Sequence, residues 1–143
     1  MKLYNSSFEL SLRIVVLLDT YSCPLSLDEI IQIDILSTYS KQYGIGEANL
    51  HGDTSYTLAE VASRRELINE ALKKLVLQGY VEVETSKIGF LYFISKIGKD
   101  IHKQMSSDYA FEYEKNVKLV KEKIANKSSK EINNLLYNIK RRD

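Results

Sequence analysis

The sequence is poor in the side chains that cross-link a fold or bind metals. Among 143 residues it contains one cysteine, Cys23, and two histidines, His51 and His102. A single cysteine cannot form an internal disulfide, which fits the reducing cytosol. A structural zinc site needs about four nitrogen or sulfur ligands, more than these three side chains provide. Cys23 precedes the only proline and has no histidine near it in sequence, so we expect a small buried hydrophobic residue and not a nucleophile.

Long hydrophobic runs are also lacking. The most apolar stretch, residues 12–18, is interrupted by Arg13 and preceded by Glu9, and it is far shorter than the roughly 20 residues that span a bilayer. It has no small-residue cleavage site, so it does not predict a signal peptide. We therefore expect a cytoplasmic protein with no membrane partner, no metal and no cofactor. The hydrophobic fraction of 44% is sufficient for an ordinary globular core.

Charge is nearly balanced over the chain but not along it. The net charge is +1, yet residues 1–60 carry three basic and eight acidic side chains, whereas residues 61–143 carry seventeen and eleven. This polarity suits the orientation of a docking partner or contact with a nucleic-acid backbone. The isoelectric point of about 7.7 is lower than is usual for a domain that binds duplex DNA by itself.

Periodicity and capping signals predict a mostly helical chain. Ser26 with Glu29 and Thr57 with Glu60 have the spacing of capping boxes and mark two helix starts. Gly79 is placed to end the second of these helices in a left-handed conformation. The tail from residue 107 has two apolar stripes at helical spacing, separated near residues 126–129.

Two alternating runs, "YVEVET" and "FLYFIS", flank the turn "SKIG" and predict a β-hairpin. A long helix, a hairpin and a short helix in this order are typical of a winged-helix domain, with residues 86–89 as the wing tip. We predict a mainly α, α+β fold with a winged-helix-like domain over residues 1–106 and a C-terminal helical extension over residues 107–143. A helix-turn-helix joins its helices by about 3–4 residues, whereas here residues 41–56 separate them.

One charged pair is expected inside the helical core. Arg13 lies in a helix that is apolar nearly all round, so it needs an acidic or carbonyl partner. Asp34 lies beside the apolar stripe of the next predicted helix and is the candidate. We interpret the pair as an ion pair that fixes helix packing rather than as a catalytic carboxylate.

The segment "GIGEANLHGDTSY", residues 44–56, holds three of the six glycines and His51. It is not a phosphate loop, because no lysine and hydroxyl pair follows the glycines and no strand precedes them. Asp53 lies two residues after His51, but no nucleophile stands in a strained turn nearby. A histidine that orders the loop is favoured over a general base, so we predict a protein that is not an enzyme.

A DNA-binding surface is the alternative. Arg64, Arg65, Lys73 and Lys74 lie on the predicted recognition helix and Lys87 lies on the wing, so we consider them as contacts to a partner or to DNA. Five glutamates share this region and would repel phosphate. They are Glu60, Glu66, Glu70, Glu82 and Glu84. The alternative function is therefore a winged-helix transcriptional regulator.

Six segments occur in the order seen in one protein family. They are "NSSFELSLRIVVLLD", "LDEIIQIDILS", "ANLHGDTSY", "EVASRRELINEALKKLVLQGYVE", "GFLYFIS" and "SSDYAFEYEKNV". Over about residues 5–120 the chain resembles the middle component of ABC-three-component systems, prokaryotic defence modules closely related to the Lamassu-type anti-phage and anti-plasmid systems. The most specific parts are Asn5 with Arg13, Asp34, the triplet at 49–51 and the triplet at 64–66. Gly52 stands where the family usually has a proline.

The resemblance implies a small non-enzymatic adaptor subunit. Its implied partners are an SMC-like coiled-coil ATPase and an effector, often of nuclease type, with DNA contact through the assembled complex. Residues 44–56 are then a docking or structural loop, in which Asn49 and His51 make hydrogen bonds that fix its shape. Arg64 and Arg65 are expected to make charge-assisted contacts to this loop or to a partner.

Overall fold

The computed structural model describes residues 6–41, 43–46 and 57–138. These ranges contain six α-helices and three β-strands, which confirms the predicted mainly α, α+β class. In chain order they are α1 (Ser7–Tyr21), β1 (Leu25–Ser26), α2 (Leu27–Thr38), α3 (Thr57–Leu77), β2 (Val81–Ser86), β3 (Gly89–Ile94), α4 (Lys96–Gln104), α5 (Asp108–Ile124) and α6 (Ser129–Asn138).

Serine side chains begin several of the helices. Ser26 accepts a hydrogen bond from the backbone N–H of Glu29, and the Glu29 carboxylate accepts one from the backbone N–H of Ser26, which is the predicted capping box. Ser95 and Ser107 cap α4 and α5 with one hydrogen bond each, which the serine hydroxyl accepts from the backbone N–H of Gly98 and of Ala110. The side chain of Thr57 lies outside the described residues. Gly79 has φ +84° and follows the end of α3, in the left-handed conformation that was predicted.

The sheet is antiparallel with the strand order β1-β3-β2. The predicted hairpin is present, with Val81 opposite Ile94 and Ser86 opposite Gly89 at the tip. The two-residue strand β1, which the sequence analysis did not predict, pairs Leu25 with Tyr92 on the other side of β3. Strand β1, which directly precedes α2, therefore holds the hairpin on the β3 side. Strand β2 forms the opposite edge of the sheet.

One hydrophobic core joins α1, α2, α3 and α5, and residues of α6 pack against it. Tyr113 and Val117 of α5 are fully buried in it, and Leu136 of α6 reaches the same core. The division into a domain ending at residue 106 and an extension stays a prediction, as does the winged-helix assignment. Within the described ranges, no helix combines the length and the apolar character needed to cross a bilayer.

The connection between α1 and β1 differs from expectation. Cys23 is exposed, so the prediction of a buried cysteine was wrong. The physical reason lies one residue earlier, where Ser22 ends α1 with φ +55° and its backbone N–H bonds back to the carbonyl of Leu18. This left-handed turn directs the next residues to the surface.

Candidate functional site

A buried carboxylate lies where the helices of the core meet. Asp34 on α2 accepts two hydrogen bonds from Arg13 on α1, from Nε to Oδ1 at 2.9 Å and from Nη2 to Oδ2 at 3.1 Å. This is the fork-like geometry in which arginine binds a carboxylate most strongly. The predicted contact between Arg13 and Asp34 is thus present, and both side chains are buried.

Two further helices contribute to the same carboxylate. Arg64 on α3 donates from Nη1 to Oδ2 of Asp34 at 2.8 Å, and Tyr113 on α5 donates its hydroxyl to Oδ1 at 2.6 Å. We call Arg13, Asp34, Arg64 and Tyr113 the Asp34 cluster. One carboxylate therefore ties together α1, α2, α3 and α5, the helices that form the core.

Arg64 is also held by its surroundings. Its Nε donates to Oε1 of Glu60 at 2.8 Å, and its Nη1 donates to the hydroxyl of Thr38, also at 2.8 Å. The Thr38 hydroxyl in turn donates to the carbonyl oxygen of Asp34 at 2.9 Å. The guanidinium lies over the ring of Tyr39, 5.2 Å from the ring centre, which is within cation–π range.

The electrostatics of the Asp34 cluster favour fixed charges. Burial alone would raise the pKa of Asp34, but the charges of Arg13 and Arg64 and the hydrogen bonds from Arg13 and Tyr113 hold that pKa well below its usual range. Burial alone would lower the pKa of Arg13, but the charge of Asp34, the hydrogen bond to Asp34, and Tyr113 and Tyr109 together outweigh burial and raise that pKa. Burial, followed by the charge of Asp34, raises the pKa of Tyr113 well above its ordinary value. The cluster suits structural charge pairing better than proton transfer at neutral pH.

Arg64 requires a correction. It was expected to contact a partner, DNA or the loop of residues 44–56. Contact with a partner or DNA does not fit its burial, because Arg64 is 0% exposed and its guanidinium binds Asp34 and Glu60 inside the chain. The contact with the loop stays a prediction, because residues 47–56 lie outside the described residues. Because withdrawing a buried guanidinium from its carboxylates would leave uncompensated charges, it acts in this fold as a core residue.

The other predicted cations lie at the surface. Arg65 is exposed and forms an ion pair with Asp28 at the start of α2. Lys73 lies 3.6 Å from the carboxylate of Glu70, one turn earlier on α3, and Lys74 is exposed on the same helix. Lys87 is exposed in the hairpin turn. Asn49 and His51 lie outside the described residues. Arg64 is buried whereas these four cations are exposed, so the five predicted contact residues do not share one surface.

A second polar link was missed by the sequence analysis, which considered His102 only as a metal ligand. Nδ1 of His102 on α4 lies 2.6 Å from Oδ2 of Asp19 on α1, and Nε2 lies 2.6 Å from Oε1 of Glu114 on α5. The hydrogen bond from Lys118 and then that from His102 lower the pKa of Glu114, although burial opposes them. The sequence offered little signal, since the three residues lie on separate helices. Among the described residues, no cluster of three or more His, Cys, Asp or Glu is arranged to hold a metal ion.

Comparison with known proteins decides the family. A family model described as ABC-three component (ABC-3C) system Middle Component 2 matches residues 3–142. The chain belongs to this family. No curated protein and no solved structure matches it. The family match extends past residue 120, where the resemblance found by inspection ended, and so includes α6. As an ABC-3C middle component, the chain works with the other components of its system.

One surface of this middle component is an apolar groove of about 550 Å³ between α1, α3 and α4. Its apolar lining consists of Phe8, Leu12, Val15, Leu75, Tyr80, Ile101 and Met105. Phe8 is 77% exposed at one end of the groove, and Lys74 also lines it. Tyr80 and Met105 are half-buried in it. Accessible aromatic and methionine side chains in a groove are typical of surfaces that bind an amphipathic helix.

The β2–β3 hairpin is the second apolar surface of this middle component. Val83, Ile88 and Phe90 are 41%, 81% and 61% exposed. Val83 and Phe90 lie close together, because Val83 pairs with Tyr92 and Phe90 pairs with Thr85, which puts both side chains on the same face of the hairpin. Large exposed apolar side chains that cluster in this way mark interaction surfaces.

Proposed function

We propose that this middle component is a non-enzymatic adaptor of a Lamassu-type anti-phage or anti-plasmid defence system. In this proposal it works in the cytoplasm and bridges an SMC-like ATPase and an effector of nuclease type. The main support for this proposal is the family match over residues 3–142. Middle components act beside the other subunits of their system, so binding those subunits is the first activity to test.

The internal architecture supports a rigid bridge. The Asp34 cluster uses two arginines, a tyrosine and a carboxylate to lock α1, α2, α3 and α5 together. A body fixed in this way transmits a force or a displacement from one bound partner to another instead of absorbing it. In the mechanism we propose, rearrangement of the ATPase on a DNA end changes how the effector is restrained, through differential binding to this subunit.

Two separate apolar surfaces support contact with two partners. The groove between α1, α3 and α4 and the β2–β3 hairpin both expose large apolar side chains to solvent. Arg65, Lys73, Lys74 and Lys87 are exposed cations on α3 and on the hairpin turn. In the adaptor they supply polar contacts at the rim of an interface, where charges set orientation and association rate more than affinity. Asn49 and His51 keep their proposed role in shaping the loop.

Co-expression with the neighbouring genes tests the proposal. The full chain is tagged and produced with the ATPase and effector of the same system, and then with each one alone. We expect a complex of all three, and we expect the ATPase and effector to separate when this chain is omitted. An ATPase and effector that associate equally well without it would exclude a bridging role.

A winged-helix transcriptional regulator is the second candidate, favoured by the four exposed cations on α3 and on the hairpin turn. It predicts tight binding of the isolated chain to one operator sequence, with an affinity that falls steeply as salt increases. The substitution Lys73→Ala would weaken such binding, whereas Lys130→Ala, at the exposed start of α6, would not. Fluorescence anisotropy with duplex DNA at two salt concentrations distinguishes this regulator from an adaptor.

A further inference from the structure

We propose that the outer edge of β2 accepts an extended segment of another component of the system, in which basic and apolar side chains alternate. The inference rests on the proposed adaptor function and specifies one of its contacts. The added segment would extend the sheet from three strands to four. Recognition would combine backbone hydrogen bonds along the edge with the two faces of the hairpin.

The backbone of β2 is available for this pairing. The strand order β1-β3-β2 leaves one side of β2 without a neighbouring strand in the described part of the chain. Every residue from Glu82 to Ser86 is exposed. Exposed edges are commonly protected by charged side chains, a proline, a bulge or a covering segment, and of these β2 has the charges of Glu82 and Glu84. Residues 81–86 contain no proline and pair with β3 in unbroken register.

One face of the hairpin offers an apolar strip. Val81 and Ile94 are buried at its base, and the same face continues outward through the exposed Val83 and Thr85 on β2, with Phe90 on β3 exposed beside Thr85. Side chains of neighbouring strands lie beside one another on the same face of a sheet. Every second side chain of an added segment would therefore lie against this strip, and apolar residues there would cover it.

The opposite face offers negative charge. Glu82 and Glu84 are exposed, and their partners across the ladder are Phe93 and Leu91, which carry no charge. The ion pairs found among the described residues include neither glutamate. Lys99 of α4 lines the same surface pocket as Glu84, so Glu82 is the carboxylate without a cation beside it in that pocket. The intervening side chains of the added segment would lie next to these carboxylates, so lysine or arginine is favoured at those positions.

The same two glutamates argue against other occupants. In a sheet formed with a second copy of this chain, antiparallel pairing of β2 with itself would bring carboxylates opposite carboxylates, which is destabilising. A nucleic-acid backbone would be repelled at the same positions. Charge complementarity therefore selects a basic polypeptide segment.

The experiment compares three forms of the full chain, each co-expressed with the other components of its system. They are the wild type, the hairpin variant Glu82→Lys with Glu84→Lys, and the control variant Glu112→Lys with Glu122→Lys. The control makes the same change in charge at exposed positions on α5. Copurification and affinity are measured for each component, and hydrogen exchange is followed by mass spectrometry at the backbone amides of residues 81–86.

We expect the wild type and the control to retain the same components. The hairpin variant should lose on the order of tenfold or more in affinity for one component while it keeps the other. In the wild-type complex, the amides of residues 81–86 should exchange more slowly than in the free chain, because added hydrogen bonds protect them. Both results together support the added strand.

Several results would overturn the inference. A hairpin variant that binds both components as tightly as the control is one. Unchanged exchange at residues 81–86 in a wild-type complex that does form is another, and it leaves the adaptor function standing. Slower exchange caused by self-association of the isolated chain, or by duplex DNA alone, would identify a different occupant. A wild type that retains no component would refute the adaptor function itself.

Discussion

Asp34 is the residue on which the core depends most, because two buried guanidinium groups share its carboxylate. The substitution Asp34→Asn keeps the shape of the side chain and removes its charge. We expect it to lower the free energy of unfolding by about 3–5 kcal/mol, the usual result when a buried pair loses one partner. Urea denaturation near neutral pH measures the loss.

The matched control for this prediction removes a carboxylate from an exposed ion pair. Asp28 pairs with Arg65 at the surface, so Asp28→Asn should cost about 1 kcal/mol or less. If Asp34→Asn cost no more than this control, the buried charges would be compensated elsewhere and the cluster would not hold the helices together.

The pH dependence of stability offers a second test of Asp34. Although burial opposes ionisation, Arg13, Arg64 and Tyr113 hold the pKa of this carboxyl below its ordinary value of 3.8 in the folded chain. The unfolded chain therefore binds more protons in the acid range, so the contribution is present above the unfolded pKa and is lost as pH falls through the folded pKa. We expect unfolding free energies to decline below about pH 4, and less steeply for Asp34→Asn. Parallel curves for the two proteins would refute this assignment.

Helix α4 packs closely against the base of the β2–β3 hairpin at Gly98. A Cβ at this position would collide with the backbone carbonyl oxygen of Tyr80 and with the side chain of Ile94. Replacing an interior helical glycine by alanine ordinarily stabilises a helix by about 1 kcal/mol. Here we expect Gly98→Ala to destabilise the protein by about 1–3 kcal/mol, because overpacking outweighs the gain in helix propensity. Thermal unfolding followed by circular dichroism measures the effect.

A control on the same helix separates packing from propensity. Lys99 is exposed, so Lys99→Ala should change stability by less than about 0.5 kcal/mol. A Gly98→Ala protein as stable as the wild type would mean that α4 moves away from the hairpin at little cost.

The elements that could be predicted are those whose signals are local. The capping box needs only Ser26 and Glu29, and the hairpin needs only the alternation of apolar and polar residues in two short runs. Both features are present in the structure. Strand β1 was missed because two residues cannot show a period; its pairing depends on Tyr92, which is distant in sequence. Cys23 was expected to be buried because of its residue type, but the left-handed turn at Ser22 places it outside.

Across the whole molecule, the Asp34 cluster shows where sequence reasoning ends. Arg13 and Asp34 could be matched because each is a charge beside an apolar stripe, and a buried charge needs a partner. Arg64 could not be assigned to the same carboxylate, because its neighbours in the sequence of α3 include exposed charged residues. Which side of α3 is buried depends on how the helix packs against the core. Tyr113 belongs to the first apolar stripe of the tail, but its hydroxyl contact depends on how α5 packs against α2.

The packing of α5 leads to a prediction about the chain as a whole. Tyr113 and Val117 are fully buried in the core, and Tyr113 also binds Asp34. A chain ending at residue 106 loses these side chains and exposes the faces of α1 and α2 that they cover. We expect it to show no cooperative unfolding transition in urea, because a core that loses one of its helices no longer offsets the entropy of folding.

A chain ending at residue 127 is the matched control, since it keeps α5 and removes α6. Helix α6 contributes the buried side chain of Leu136 to the core. The backbone carbonyl oxygen of Leu136 also accepts a hydrogen bond from the hydroxyl of Tyr43. We expect this shorter chain to unfold cooperatively at a lower urea concentration than the full chain. If the chain ending at residue 106 instead unfolded cooperatively, α5 would be an extension that folds onto a finished domain, and the predicted boundary at that residue would be a true one.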